Sequence, residues 1–515
     1  MVGVPYALVI HKFFPMANAF FRNLGFNVLL SPPTNEEIIR LAQQTAQAET
    51  CYPVKLLHGH MAWLAEQGVD YIFMPSVHTM KHESSHVEHN YGCVYMQTAP
   101  RLAANALDLE RRGITLLSPV FDLDFGQEAM ASAMLGVGKQ LGIPKPRCLP
   151  ALLSGAKAVR RHTAAVEKQG QELLASLRPD DKVLVLITRN YGLSDPVLNM
   201  GIPRLLLERG HKVITLSHLP AHDLDLSEDY PNLYWPFGQH ILSGAKLVAH
   251  HPNLYAVYLT NHGCGPDTML SYLFRKEMGD KPYLQIEVDE HFSPVGVITR
   301  IEAFLQSLEG RPAQPLPAGF SLTSVVHRPT AVAAVPERTG GPLLVPDLPP
   351  FTAYLRAYCE AAWETETRTL RLDSTTLPLG RAETSSKEYL PFPALLGGVL
   401  TAAEAESGPF QVLLPSTQGA EADGQYPWGV ETVLERQGLC RVKVIAPELE
   451  TLPERCPEPD LLFRAFLVGD LLLCAPPEQR DALAPAGVPG WAELETLCGA
   501  HRRHSAGGTD AWDRG

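Results

Sequence analysis

Short apolar runs alternate with helix-length segments along the first 308 residues, and this alternation constrains the fold more than any other feature of the sequence. The runs predict strands at residues 6–10, 26–30, 70–74, 114–117, 182–188 (KVLVLIT), 213–216, 254–260 and 283–288. Strands that are apolar on both faces are typical of parallel sheets covered by helices. The sequence therefore predicts an α/β fold of several Rossmann-like or flavodoxin-like parallel-sheet units with helices on both faces.

The same alternation divides the chain into domains. We predict a first α/β domain over residues 1–148 and a second over 149–308, which begins with a long helix at 149–177. Residues 309–350 contain nine prolines, a density that favours a linker or surface strap over a helix or a central strand. A third α/β domain is predicted over 351–500, with strands at 410–414 and 442–445. The polar tail at 501–515 is predicted to be disordered.

Composition argues against several classes of function. The chain has 43 Lys and Arg against 56 Asp and Glu, a formal net charge of −13, which disfavours binding to nucleic acid or anionic membranes. No apolar run approaches the ~20 residues that span a bilayer, and no export signal is recognisable. Nine dispersed cysteines without a CxxC unit favour a reducing compartment over a disulfide framework. We therefore expect a cytoplasmic protein with no membrane or nucleic-acid partner.

Three of the cysteines lie in predicted loops, and the loops at Cys51 and Cys264 precede predicted helices, while that of Cys93 follows the strand at 70–74. Cys51 is followed by Tyr-Pro, Cys93 is preceded by Asn-Tyr-Gly, and Cys264 lies within Asn-His-Gly-Cys-Gly-Pro directly after a strand. A helix N-terminus stabilises a thiolate, and glycine lets the backbone approach a bulky group. Such positions suit the thiolate ligands of an iron–sulfur cluster. The alternative is that a cysteine packs as a small apolar side chain, which we expect for Cys148, Cys359, Cys440, Cys474 and Cys498.

These loops carry a family resemblance. The sequence resembles the activase-related proteins of the 2-hydroxyacyl-CoA dehydratase family, also described as CoA-substrate-specific enzyme activases, without their ATPase domain. The resemblance covers about the first 308 residues and includes the words Leu30-Ser31-Pro32-Pro33-Thr34-Asn35, Glu49-Thr50-Cys51-Tyr52-Pro53-Val54-Lys55, His58-Gly59-His60, Asn90-Tyr91-Gly92-Cys93 and Gly263-Cys264-Gly265-Pro266-Asp267.

The resemblance implies a cofactor and partners. It implies a [4Fe-4S] cluster held by Cys51, Cys93 and Cys264, with one iron free of protein ligands. A separate ATP-hydrolysing activase would supply a low-potential electron for reduction of a small molecule such as a CoA thioester. The chain would then be a lyase or oxidoreductase component, working with a dehydratase-like subunit or as a homodimer. Beside Cys264, His262 could tune the cluster by hydrogen bonding, with Gly263 and Gly265 allowing close approach.

The third unit departs from the family pattern. Where cysteine-containing words are expected, this chain has Thr384-Ser385-Ser386-Lys387-Glu388-Tyr389-Leu390-Pro391 and Gln418-Gly419-Ala420-Glu421-Ala422-Asp423-Gly424-Gln425-Tyr426. We therefore expect this unit to keep its fold without a cluster. The loss favours an alternative function, in which the chain is a non-catalytic accessory or scaffold paralogue that binds a catalytic relative.

Two further groups of residues have the composition of functional sites. His78, His82, His86 and His89 would share one face of a helix and could bind zinc or nickel, although the surrounding polar residues favour a solvated loop. Asp289, Glu290 and His291 follow a predicted strand and could supply a proton donor. Arg189, which also follows a strand, could hold an anionic substrate group.

Overall fold

The computed structural model describes residues 1–80, 84–87, 89–123, 126–311, 320–327, 332–338, 340–349, 351–385 and 388–448, together with Phe463, Leu467, Gly469 and Leu473. The chain divides into two compact units. The first comprises Met1–Pro329 with Gly419–Glu421, and the second comprises Thr330–Gln418 with Ala422–Gly515.

The first sheet of unit 1 has four parallel strands in the order β2-β1-β3-β5, and a separate two-stranded parallel sheet pairs β4 with β6. Asn35 caps the second helix by accepting a hydrogen bond from the backbone N–H of Ile38 at 3.1 Å. The strands are β1 (Val2–Val4), β2 (Val28–Leu30), β3 (Tyr71–Phe73), β4 (Ser76–Thr79), β5 (Thr115–Leu117) and β6 (Val120–Asp122). The helices are α1 (Ile10–Asn23), α2 (Glu36–Thr45), α3 (Tyr52–Glu66), α4 (Val94–Ala106) and α5 (Gln127–Gln140).

The second sheet of unit 1 also has four parallel strands, in the order β10-β9-β7-β8. One hydrophobic core contains side chains from both four-stranded sheets, among them Val4 and Val257. The strands are β7 (Val183–Ile187), β8 (Lys212–Thr215), β9 (Leu254–Asn261) and β10 (Leu284–Val288). The helices are α6 (Lys145–Ala175), α7 (Asn190–Ser194), α8 (Ile202–Glu208), α9 (Pro236–His250), α10 (Gly265–Met278) and α11 (Pro294–Glu309).

Unit 2 contains a third parallel sheet, in the order β12-β11-β13-β14. Its strands are β11 (Leu343–Pro346), β12 (Thr367–Leu370), β13 (Phe410–Leu413) and β14 (Val442–Ile445). Its helices are α12 (Phe351–Trp363), α13 (Leu377–Glu383), α14 (Pro391–Ala405) and α15 (Tyr426–Arg436).

The three four-stranded sheets share one topology. When the strands of each sheet are numbered by their appearance in the chain, all three sheets have the spatial order 2-1-3-4. The prediction of repeated Rossmann-like or flavodoxin-like parallel units is confirmed. In such sheets the strand order reverses between the first and third strands, and ligands bind in the crevice beyond the carboxyl ends of those strands. In the second sheet these are β7 and β9.

Two sequence predictions are wrong. The strand expected at 6–10 lies instead at Val2–Val4, and Ile10 already begins α1. The apolar residues before Ile10 are buried in a turn, and a short apolar run does not distinguish that burial from a strand. The proline-rich segment 309–350 contains β11, a central strand, because Leu343–Pro346 has its proline only at the last position.

The other predicted domain boundaries stay predictions, and the tail at 501–515 lies outside the described residues. Among the helices that the structure describes, none has both the length and the apolar character required to cross a bilayer.

Candidate functional site

Three cysteines of unit 1 occupy equivalent positions, each at the N-cap of a helix. Cys51 precedes α3, Cys93 precedes α4 and Cys264 precedes α10. The backbone of each cysteine is extended, and none of the three side chains makes a helix-capping hydrogen bond. The partial positive charge at a helix N-terminus favours a thiolate there. Along the chain, α3 and α4 lie between strands of the first sheet, and α10 lies between strands of the second. The shared N-cap position of the cysteines therefore does not come from one local sequence motif.

The structure brings these cysteines together. Cys51 and Cys264 are buried, and Cys93 is partly buried. The thiols are close enough that a negative charge on Cys93 would raise the pKa of Cys51, and a charge on either would raise the pKa of Cys264. The loop before Cys264 lies against Cys51, because a side chain at Gly263 would approach the Cys51 Cα to 3.8 Å. Gly263 has φ +69°, a conformation that glycine adopts without strain.

A buried arginine lies beside this group. Arg189 follows β7, at the edge where the strand order of the second sheet reverses. Its Nη2 donates to the Cys264 Sγ at 3.2 Å, and its Nη1 donates to Asp267 at 2.6 Å. The guanidinium also lies over the Phe237 ring, 4.2 Å from the centroid. Because Asp267 already pairs with Arg189, this arginine is not open to an anionic substrate in the way that its position after a strand suggested.

Burial dominates the ionisation of the three thiols. Loss of solvent raises the pKa of Cys51 to about 12 and also raises the pKa values of Cys93 and Cys264. Arg189 opposes this effect at all three thiols, because a nearby cation favours the thiolate. The thiols are therefore neutral near pH 7, and a metal or cluster would have to displace their protons in order to bind.

One buried polar atom next to Cys51 in the chain has no partner. The Thr50 hydroxyl is buried and has no hydrogen-bond partner among the described residues. Buried hydroxyls are normally hydrogen-bonded. Within the described ranges, no three His, Cys, Asp or Glu side chains are arranged to hold a metal ion. Three thiols that each bind a different iron of a cluster do not require that arrangement, and thiolates are the donors that iron–sulfur clusters take.

A buried hydrogen-bond chain fixes α3, and the sequence did not reveal it. The Ser31 hydroxyl contacts the His60 Nδ1 at 2.8 Å, and the Thr34 hydroxyl contacts the His60 Nε2 at 3.0 Å. Thr34 also donates to Asp195, which accepts from two backbone N–H groups after α7. Since Thr34 gives its only proton to Asp195, His60 must donate through Nε2 and accept through Nδ1. These hydrogen bonds connect α3, whose N-cap is Cys51, to the loop after α7 that contains Asp195.

The acidic segment after β10 lies near the same helix. Glu290 forms an ion pair with Lys55 at 3.0 Å, and Lys55 also pairs with Glu49 at 2.7 Å. Asp289 accepts from the backbone N–H of His291, whose side chain is exposed. Lys55 is one helical turn from Cys51, so the segment borders the candidate site. A catalytic role for Asp289, Glu290 or His291 stays a prediction.

The histidines lie in other environments. The Nδ1 of His262 contacts Glu287 at 3.2 Å on an exposed surface. His86 and His89 are outside regular structure, in agreement with the favoured loop, and the helical alternative is wrong in the described residues because His78 lies in β4. His86 pairs with Asp225 instead. His82 lies outside the described residues.

The remaining cysteines divide between buried and exposed positions. Cys148 and Cys359 are buried, as expected of small apolar side chains, but Cys440 is exposed, so the prediction is wrong there. Cys474 and Cys498 lie outside the described residues.

Comparison with known proteins identifies one domain. A family model described as a CoA enzyme activase uncharacterised domain (DUF2229) matches residues 1–219. This stretch contains Cys51, Cys93 and Arg189 and ends before Cys264. No curated protein matches the chain. The chain thus carries a domain of the CoA enzyme activase type, and this agrees with the activase-related part of the resemblance.

Proposed function

We propose that this chain is an iron–sulfur redox protein that holds a [4Fe-4S] cluster through Cys51, Cys93 and Cys264. In this proposal it accepts a low-potential electron from a separate ATP-hydrolysing activase and reduces a small molecule such as a CoA thioester. The observation that carries the proposal is the association of three cysteines, two buried and one partly buried, each at the N-cap of a different helix, with Arg189 beside Cys264.

The chemistry of the donor set favours iron and sulfide. Thiolates are soft ligands that select zinc, copper(I) or iron–sulfur clusters. Three thiolates would leave one iron of a four-iron cluster without a protein ligand, and that position would be open to substrate or solvent. When bound, such a cluster supplies one-electron transfer at low potential. Arg189 and the helix N-termini would offset its negative charge, and the Thr50 hydroxyl, next to Cys51 in the chain, could donate to it.

The activase-type domain supports the place of the chain in an electron-transfer system. Residues 1–219 match a CoA enzyme activase domain, yet Leu135-Gly136-Val137-Gly138-Lys139-Gln140 lacks the spacing of a P-loop. Asp373-Ser374-Thr375-Thr376 also lacks the glycines that admit phosphate. We infer that ATP is hydrolysed by the partner and that this chain receives the electron.

Iron and acid-labile sulfide in anaerobically purified protein test the proposal. Wild type should contain roughly four of each per chain, and the single variants Cys51→Ser, Cys93→Ser and Cys264→Ser should lose most of both. Cys148→Ser is the matched control, because Cys148 is also buried but contacts the Ile143 carbonyl at 3.7 Å instead of the site. Wild-type protein that stays free of iron after anaerobic reconstitution would refute the proposal.

A scaffold function is the second candidate, and unit 2 favours it. The segment 384–391 of this unit lacks the cysteines expected from the resemblance, and Tyr389 and Leu390 are exposed there, at 43% and 57%. Exposed apolar side chains can form part of a protein–protein contact. An iron-free chain that nevertheless forms a stable complex with an iron–sulfur relative would support this candidate over the first.

A further inference from the structure

Arg189 and Asp267 form an ion pair in the buried interior of unit 1. Arg189 is 9% exposed and Asp267 is 2% exposed. Asp267 also accepts from the backbone N–H of Asn261 at 2.8 Å. A buried ion pair contributes little stability compared with apolar side chains of the same volume. Its contribution to stability therefore does not explain why this ion pair is buried here.

The geometry of the guanidinium supplies that reason. Asp267 and the Phe237 ring hold it in one orientation, and in this orientation Nη2 points at the Cys264 Sγ at 3.2 Å. The planar guanidinium of arginine can donate hydrogen bonds to the Asp267 carboxylate and to the Cys264 sulfur at the same time. Lys55, one helical turn from Cys51, is engaged by two carboxylates. Arg189, in contrast, acts electrostatically on all three cysteines.

We infer that Arg189, oriented by Asp267, is a positioning residue that donates an N–H group to the Cys264 thiolate and makes a cluster bound there easier to reduce. The inference rests on the proposed function. One-electron reduction adds one negative charge to a cluster, and the electron comes from an external donor. A fixed positive charge and a hydrogen bond to a ligand sulfur stabilise the reduced form more than the oxidised form. The reduction potential therefore rises.

The central variant removes both charges together, as Arg189→Gln with Asp267→Asn. This double variant leaves no buried charge without a partner, and an asparagine can still accept from Asn261. Arg178→Gln is the matched control for a lost arginine, because Arg178 is exposed and pairs with Asp181 instead of with the candidate site. The midpoint potential is measured by EPR-monitored titration of anaerobic protein with dithionite. We expect the double variant to keep its iron. Its reduction equilibrium should change about tenfold, which places its midpoint potential about 59 mV below that of wild type.

A second readout uses protein without iron. Alkylation of Cys264 by iodoacetamide at pH 8 is compared, peptide by peptide, with alkylation of the exposed Cys440 in the same sample. Loss of the guanidinium should slow the reaction of Cys264 about tenfold relative to Cys440, because the thiolate loses its donor. This readout separates the two proposals, since a chain that binds no iron refutes the proposed function while alkylation still tests the contact.

Three outcomes decide the inference. A folded double variant with wild-type potential and wild-type alkylation of Cys264 overturns it, and so does an equal shift in Arg178→Gln. If the double variant does not fold, Arg189→Lys decides, because lysine can pair with Asp267 but lacks the fork that also reaches sulfur. Its midpoint should lie below that of wild type, and an unchanged midpoint overturns the inference.

Discussion

Replacing Gly59 with alanine should destabilise α3, the helix whose N-cap is Cys51. Gly59 lies in α3 at a point where this helix packs against α2. A Cβ atom at position 59 would lie 2.1 Å from the backbone oxygen of Ile38 and 3.0 Å from both the Cβ and the backbone nitrogen of Ala42. Two of these three atoms belong to the backbone, so only a movement of one helix away from the other relieves the contact.

The expected cost follows from two opposing effects. Alanine is better than glycine inside a helix by about 1 kcal/mol. Overpacking costs about 1–3 kcal/mol, and a contact of 2.1 Å to a backbone oxygen belongs at the upper end. The net loss of stability should be roughly 2 kcal/mol, which lowers the melting temperature by roughly 4 °C in a unit of this size.

Circular dichroism melting of Gly59→Ala beside Gly136→Ala provides the assay. Gly136 lies inside α5, and a Cβ there would meet nothing within 4 Å. The control should therefore equal wild type or gain about 1 kcal/mol. If Gly59→Ala melts at or above the temperature of Gly136→Ala, the close packing of α2 on α3 is refuted.

Three other predictions concern buried groups. Burial lowers the pKa of His60 to about 3 from 6.5, so stability is complete above about pH 6.5 and falls as pH drops toward 3, by up to ~1.4 kcal/mol per unit. Urea denaturation at pH 5 and pH 7 should differ by roughly 2 kcal/mol more in wild type than in His60→Gln, and equal differences would contradict the assignment. Thr34→Val should cost about 1–3 kcal/mol in the same assay, because Asp195 and His60 each lose a partner; a cost no larger than that of the exposed Thr299→Val would count against the hydrogen-bond chain. Gly380→Ala should lower the melting temperature of unit 2, because its Cβ would lie 1.8 Å from a backbone oxygen of α14, and unchanged melting would rule out that contact.

Much of the fold could be predicted from the sequence because its strands are continuous apolar runs. The run at 182–188 contains β7, whose five residues are all buried. The failures occur where local signals conflict with tertiary context. Leu343–Pro346 is a central strand within a proline-rich segment, and its pairing with β12 and β13 outweighs the local composition.

The candidate site was only partly visible in the sequence. Glycine and proline beside Cys51, Cys93 and Cys264 mark loops, so these cysteines stood out from the others. The contact between Arg189 and Cys264 joins residues 75 positions apart. Only the sheet topology, which places the loops after β7 and β9 side by side, reveals that contact.

The EPR spectrum of the anaerobically purified, dithionite-reduced protein tests the central claim most directly. We predict the paramagnetic signal of a reduced iron–sulfur cluster in wild type and its loss or marked change in Cys264→Ala. A wild-type sample without such a signal, in any state of reduction, would contradict the claim that Cys51, Cys93 and Cys264 together hold a cluster.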